Sequence, residues 1–180
     1  MGGVWAALIA VSGAVIVGYV ANFMAEDYRR FRDGSSLAAG LAGELGSYGT
    51  AFPTVRNALS SFVATVDDGR RAELGLRGID RPVDLVFERS IERLGLLGTE
   101  MVENVVYVYN NVRAFRIAFE IVFKHHADMA DAEFRGRCEI ALAVLDRAVQ
   151  RAEPLLDDLR HRVAQTFRPT WPWDWIRKGR

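Results

Sequence analysis

The side chains able to do chemistry in this chain are few: three histidines, one cysteine and two pairs of adjacent aspartates. His125 and His126 are neighbours, with Asp128 two positions on. Adjacent helical residues project about 100° apart, so the pair does not converge on one metal ion, which asks for three or four ligands. Lys124, His125 and His126 instead fall where a helix should end, and cations there complement the negative end of the helix dipole. Cys138 lies on an apolar stripe. As a nucleophile it would need a base and an oxyanion hole, and neither His125, His126 nor His161 stands in a recognisable relation to it. Asp67-Asp68 and Asp157-Asp158 are adjacent in sequence, so neither pair can flank a substrate as acid and base. No glycine motif of the phosphate-cradling or dinucleotide kind is present. These residues predict no catalytic group, no metal and no cofactor, and a single cysteine closes no intramolecular disulfide. The expected function is non-enzymatic.

Contact chemistry is better represented. Trp171, Trp173 and Trp175 stand within five residues, and Arg168, Arg177, Lys178 and Arg180 surround them against the single acid Asp174. Tryptophan favours the headgroup region of a bilayer, and arginine and lysine favour anionic lipid. The tail 168–180 is therefore a candidate membrane-surface contact, through Trp171, Trp173, Trp175, Arg177, Lys178 and Arg180. The alternative is that it folds back on the protein or binds a partner, since exposed aromatic clusters mark some contact. Nucleic acid is not an expected partner: 23 basic and 23 acidic residues cancel, leaving no net charge for phosphate neutralisation.

The elements that would position these groups begin with a long uncharged segment. The chain has 180 residues, about one domain, and all 46 charged side chains (23 basic, 23 acidic) lie from Glu26 onward. Val4 to Met24 has only Ser12 and Asn22 as clearly polar members. As a helix it reaches about 30 Å, the hydrocarbon thickness of a bilayer, with Trp5 near one end and Tyr19 and Phe23 towards the other. A cleaved signal would carry a basic start, a shorter core and a small-residue site, none of which fits; a myristoyl signal would want Ser or Thr where Ala6 stands. Residues 1–25 are thus expected to be a transmembrane anchor. Arg29, Arg30 and Arg32 follow it and no basic residue precedes it, which places the amino terminus outside and the rest in the cytoplasm. Ala6, Ala10, Ala14 and Gly18 recur every four residues on one face, where small side chains let two spans approach. Homo-oligomerisation through these residues is expected.

Residues 26–167 read as a cytoplasmic helical domain. Leu37, Leu41, Leu45 and Tyr48 share one helical face, ending before Pro53; Thr54–Val66 reads as a separate short helix with Val55, Leu59, Phe62, Val63 and Val66 inward. Asp67–Pro82 alternates charges among glycines and reads as a solvated loop, with a turn of helix near Ala72–Leu76. Pro82 should open a further helix with Val83, Val86, Phe87, Ile91 and Leu94 buried, and Thr99 should cap the next. Met101, Val105, Val108, Val112, Phe115, Phe119 and Val122 then alternate steps of four and three. After a turn near Asp128, Phe134, Cys138, Ala141, Leu145, Ala148, Ala152, Leu155 and Leu159 do much the same, with Pro154 expected to kink or split their helix. Two such seams predict a long antiparallel helical hairpin. No strand-type alternation occurs, so the fold class is all-α.

With this layout in place, Leu94-Gly95-Leu96-Leu97 and Val105-Val106-Tyr107-Val108-Tyr109 carry a likeness. The chain resembles a loose group of bacterial and prophage-encoded single-span, membrane-anchored helical proteins. The resemblance implies a location in the bacterial inner membrane and carries no activity with it. The function expected is a membrane-anchored interaction or scaffold protein whose partners are the bilayer, copies of itself and an unknown protein. The alternative is a membrane-active effector of the phage-lysis or abortive-infection type, in which assembled spans perturb the bilayer; the lack of a polar face on the span weighs against it.

Overall fold

The computed structural model describes residues 2–76 and 83–169, without the side chains of residues 2 and 4–9. Among the described residues the fold is all-helical. The α-helices are α1 (Gly2–Asp67), α2 (Leu85–Ser90), α3 (Thr99–His125) and α4 (Asp131–Ala164), with 3-10 turns at Arg71–Glu73, Ile91–Leu97 and His126–Asp128.

Two expected breaks do not occur. α1 runs through Pro53 as one helix of 66 residues, so Thr54–Val66 is its continuation and not a separate helix. α4 likewise contains Pro154 without splitting. Each proline removes one backbone donor and leaves the carbonyl four residues earlier without its partner. Pro53 and Gly49, and Pro154 and Gln150, all lie exposed, where water can take those carbonyls. Leu45 and Leu59 are buried on the two sides of Pro53, so packing holds the helix through it.

Helix α4 is the centre of the bundle. It runs antiparallel to α1, as Asp67–Arg135 (3.1 Å) and Arg56–Asp146 (2.5 Å) show, and antiparallel to α3, where Arg151 Nε donates to Asn104 Oδ1 at 2.9 Å. The expected hairpin of α3 and α4 is present, with its turn at His126–Asp128. Val105, Val108, Val112, Phe115 and Val122 face Phe134, Cys138, Ala141, Leu145, Ala148, Leu155 and Leu159 in the core, all buried, while Met101, Phe119 and Ala152 are half-buried at its margin. The interior forms two clusters. One gathers Leu37, Leu41, Leu45, Leu94, Leu97 and Leu159 near the entry of α1 into the bundle. The other gathers Leu59, Val66, Phe115, Val122, Phe134 and Cys138 at the far end.

The connection from α1 to α3 differs in detail from expectation. Pro82 lies outside the described residues; α2 starts at Leu85, and Val83 and Ile91 are 59% and 56% exposed, not buried. Val86 and Phe87 pack on the core and Leu94 is within it. The residue before α3 is Gly98, at φ 89°, and Thr99 is already inside the helix with no capping bond. A positive φ is open to glycine at little cost, so Gly98 makes the break that a side-chain cap would otherwise mark. The segment after α1 is less solvated than its charges suggest. Arg71 lies over the Phe134 ring (5.1 Å), donates to Asp131 Oδ1 (2.6 Å) and to the His126 carbonyl, and so pins this segment to the α3–α4 turn.

Among the described residues no helix is long and apolar enough to cross a membrane. The expected span begins at Val4, and its side chains at 4–9 are outside the described set. From Ala10 onward α1 projects from the bundle. Val11, Val15, Ile16, Val17 and Tyr19 are each more than 60% exposed (63, 65, 62, 68 and 72%). At 100° per residue Val11, Val15, Ile16 and Tyr19 span an arc of about 140° and Val17 lies opposite, while Gly13 and Ala14 on the remaining side are exposed too.

Candidate functional site

Of the small residues placed on one face of the span, Ala10, Ala14 and Gly18 are exposed, with nothing within 4 Å of a Cβ built at Gly18. The Ala6 side chain is outside the described residues. So are Trp171, Trp173, Trp175, Arg177, Lys178 and Arg180, the tail contact residues.

The chemical candidates are not brought together. His126 Nδ1 lies 2.8 Å from the Phe123 carbonyl at the end of α3, and among the described residues no three His, Cys, Asp or Glu gather as metal ligands would. Cys138 is wholly buried, and burial pushes its thiol up to about 11, away from the thiolate that a nucleophile requires.

A polar network that reasoning from sequence missed does form between α1, α2 and α3. The Glu44 carboxylate on α1 accepts the Val86 and Phe87 N–H groups at 2.9 and 3.1 Å, so it caps the first turn of α2 from outside and places negative charge at its positive end. It also accepts the Tyr109 hydroxyl at 2.8 Å. Asp84, 9% exposed, accepts Tyr48 Oη–H at 2.5 Å and Arg116 Nη1–H at 2.7 Å. The Arg116 guanidinium lies 5.1 Å from the Tyr48 ring, and the Phe87 and Tyr109 rings stack at 4.0 Å. Burial and the bond to Asp84 push the Tyr48 phenol up to about 12; burial and Glu44 hold Tyr109 well above its ordinary value. Both stay neutral donors at physiological pH. The network joins α1 to α3, directly through Glu44 and Tyr109 and by way of Asp84 at the start of α2. Its groups satisfy one another, so it serves as a structural clasp.

The open site lies at the opposite end of the bundle from the α3–α4 turn. Because α4 is antiparallel to α1, its carboxyl end returns to the point where α1 leaves the bundle. There Phe167 packs against Tyr28 and Phe31, with ring centroids 5.2 and 5.6 Å apart. A cleft of about 790 Å³ opens beside them, lined by Asp27, Arg30, Phe31, His161, Arg162 and Arg168 among others. Arg162 lies over Phe31 at 4.9 Å, and its Nη1–H donates to Gln165 Oε1 at 2.9 Å. Arg30 donates through Nε to Glu26 at 3.2 Å, and Arg29 pairs with the same carboxylate at 2.7 Å. Arg30 was legible as one of the arginines that follow the uncharged segment. Arg162 and His161 come from a different helix, and only the return of α4 puts them beside it.

No family model matches this chain, and no curated protein or solved structure is significantly similar to it.

Proposed function

We propose that the protein is a membrane-anchored, non-enzymatic scaffold, with α1 serving as both anchor and first helix of the bundle. The observation that carries this reading is the all-round exposure of Val11, Val15, Ile16, Val17 and Tyr19 on an uncharged stretch that continues unbroken into the bundle. A helix apolar on one face belongs on a protein surface; a helix apolar on all faces needs an apolar surround. With residues 4–9 included, its length suits a bilayer. The arginines after Met24 favour an outside amino terminus, a cytoplasmic bundle and a bacterial inner-membrane location, in keeping with the resemblance to prophage-type anchored helical proteins. The small face through Ala6, Ala10, Ala14 and Gly18 suits packing against a second copy. The outer faces of α3 and α4, where Tyr107, Ile117 and Ile140 are exposed, are available to a protein partner.

The test uses the full chain in intact bacteria. Cys138 is a silent thiol because it is buried, so single reporters stand out against it. Gly3→Cys should react with an impermeant maleimide, while Ala132→Cys on α4 should react only after permeabilisation. Labelling of Ala132→Cys in intact cells would reverse the orientation. A wild-type chain that stays in the aqueous fraction after cell disruption would remove the anchor. Prompt depolarisation on expression would favour the membrane-active reading.

A further inference from the structure

We propose that the cleft between the start of the bundle in α1 and the end of α4 binds a phosphate-bearing anion, with a phospholipid headgroup as its source. The choice of source rests on the reading of residues 4–24 as a span.

Three features of the cleft carry the inference. The first is charge. Arg30, Arg162 and Arg168 line it together with His161, and among the described residues the one acid on its wall is Asp27. The second is donor geometry. Each guanidinium has five N–H donors in a planar fork that matches phosphate oxygens. Arg30 commits Nε to Glu26, and Arg162 commits one Nη to Gln165, so both retain further donors. The Phe31 ring and Gln165 already hold the Arg162 guanidinium in place, so less ordering remains to be done when an anion arrives. The third is depth. Asp27, Arg30 and Phe31 follow Met24 by three to seven residues on the same helix, about 4–10 Å along its axis. A bilayer's headgroup layer extends about 5–8 Å beyond each side of its hydrocarbon core. The cleft therefore opens at the level of lipid phosphates, with Arg30 on α1, Arg162 on α4 and Arg168 four residues past the end of α4.

The experiment uses the full chain in a neutral detergent. It is titrated with short-chain phosphatidylglycerol, with phosphatidylcholine and with inorganic phosphate at constant ionic strength, and binding is read from the shift in thermal midpoint. Arg30→Gln/Arg168→Gln alters two exposed side chains. Arg113→Gln, exposed on α3 away from the cleft, is the charge-matched control. At about 5-fold per cation, the double variant should bind phosphatidylglycerol about 25-fold more weakly, while the control stays within about 2-fold of wild type. Equal affinity of wild type and double variant, or an equal loss in the control, overturns the site. Tighter binding of inorganic phosphate than of phosphatidylglycerol, still dependent on Arg30 and Arg168, supports the phosphate site and overturns the lipid as its source. Flotation with vesicles after detergent removal tests the span separately: a chain that fails to float while its phosphate response still needs both arginines loses the membrane reading and keeps the cleft.

Discussion

Gly34 shows how much can depend on a missing atom. It is buried on α1, and a Cβ built there would stand 2.8 Å from the Leu96 carbonyl oxygen and 3.3 Å from Arg162 Nη2. The absence of that carbon lets the Ile91–Leu97 turn and the end of α4 close on α1, and so shapes the cleft wall. Gly34→Ala gains helix propensity of up to about 1 kcal/mol but pushes on backbone, an overpacking cost of about 1–3 kcal/mol. It should lower the thermal midpoint. Gly43→Ala, on an exposed part of the same helix with nothing within 4 Å, should raise stability by about 0.5–1 kcal/mol. Unfolding of the two variants in parallel checks the contrast; a stabilised Gly34→Ala would mean that the turn yields freely. Neither role is written in the local sequence, where both residues look alike. The same holds for Glu44, Tyr48, Asp84 and Arg116. Glu44, Asp84 and Arg116 each read alone as ordinary surface polar residues and Tyr48 as part of an apolar face, and their partners lie 32 to 65 positions away.

At the scale of elements, the legible parts are those whose signal is local. The 4-3 steps from Met101 to Val122 and the similar pattern from Phe134 to Leu159 fall inside α3 and α4 and meet across the hairpin, because helical periodicity is a short-range property of the chain. Pro53 and Pro154 do not end their helices, since their cost is local but the burial that overrides it is not. If α1 merely tolerates Pro53, Pro53→Ala should restore one backbone bond to Gly49 and raise stability by about 1–3 kcal/mol with helical content unchanged. Chemical denaturation of the full chain in detergent measures this. A loss of stability would show instead that α1 needs the proline's bend to reach both core clusters. The short elements between α1 and α3 were least legible: Glu44 caps α2 from another helix, and the conformation of Gly98 does what Thr99 was expected to do.

At the scale of the molecule, α1 is at once the element that projects from the bundle and one of its walls, and α4 brings the chain back beside it. Pro169, the last described residue, follows directly on the aromatic contact of Phe167 with Tyr28 and Phe31. Residues 170–180 therefore start near the level at which the proposed span would leave the bilayer. If that tail touches lipid, its tryptophans should be quenched by lipids brominated near the headgroup. The signal to read is the emission of the full chain in vesicles minus that of a chain ending at Pro169, which retains Trp5. Unquenched tail emission, with the shortened chain less stable to heat, would place the tryptophans on the protein instead.

The central position of α4 also has a consequence for the order in which the protein can form. Ribosomes deliver α1 first and α3 next, and the apolar faces of both are completed by α4. Until Asp131–Ala164 has emerged, Leu41, Leu59, Val108 and Val122 lack much of the surface that buries them. The two earlier helices must therefore wait during synthesis with their inner faces uncovered, and if the amino-terminal segment inserts as proposed, the bilayer would keep the waiting chain tethered and apart from its neighbours.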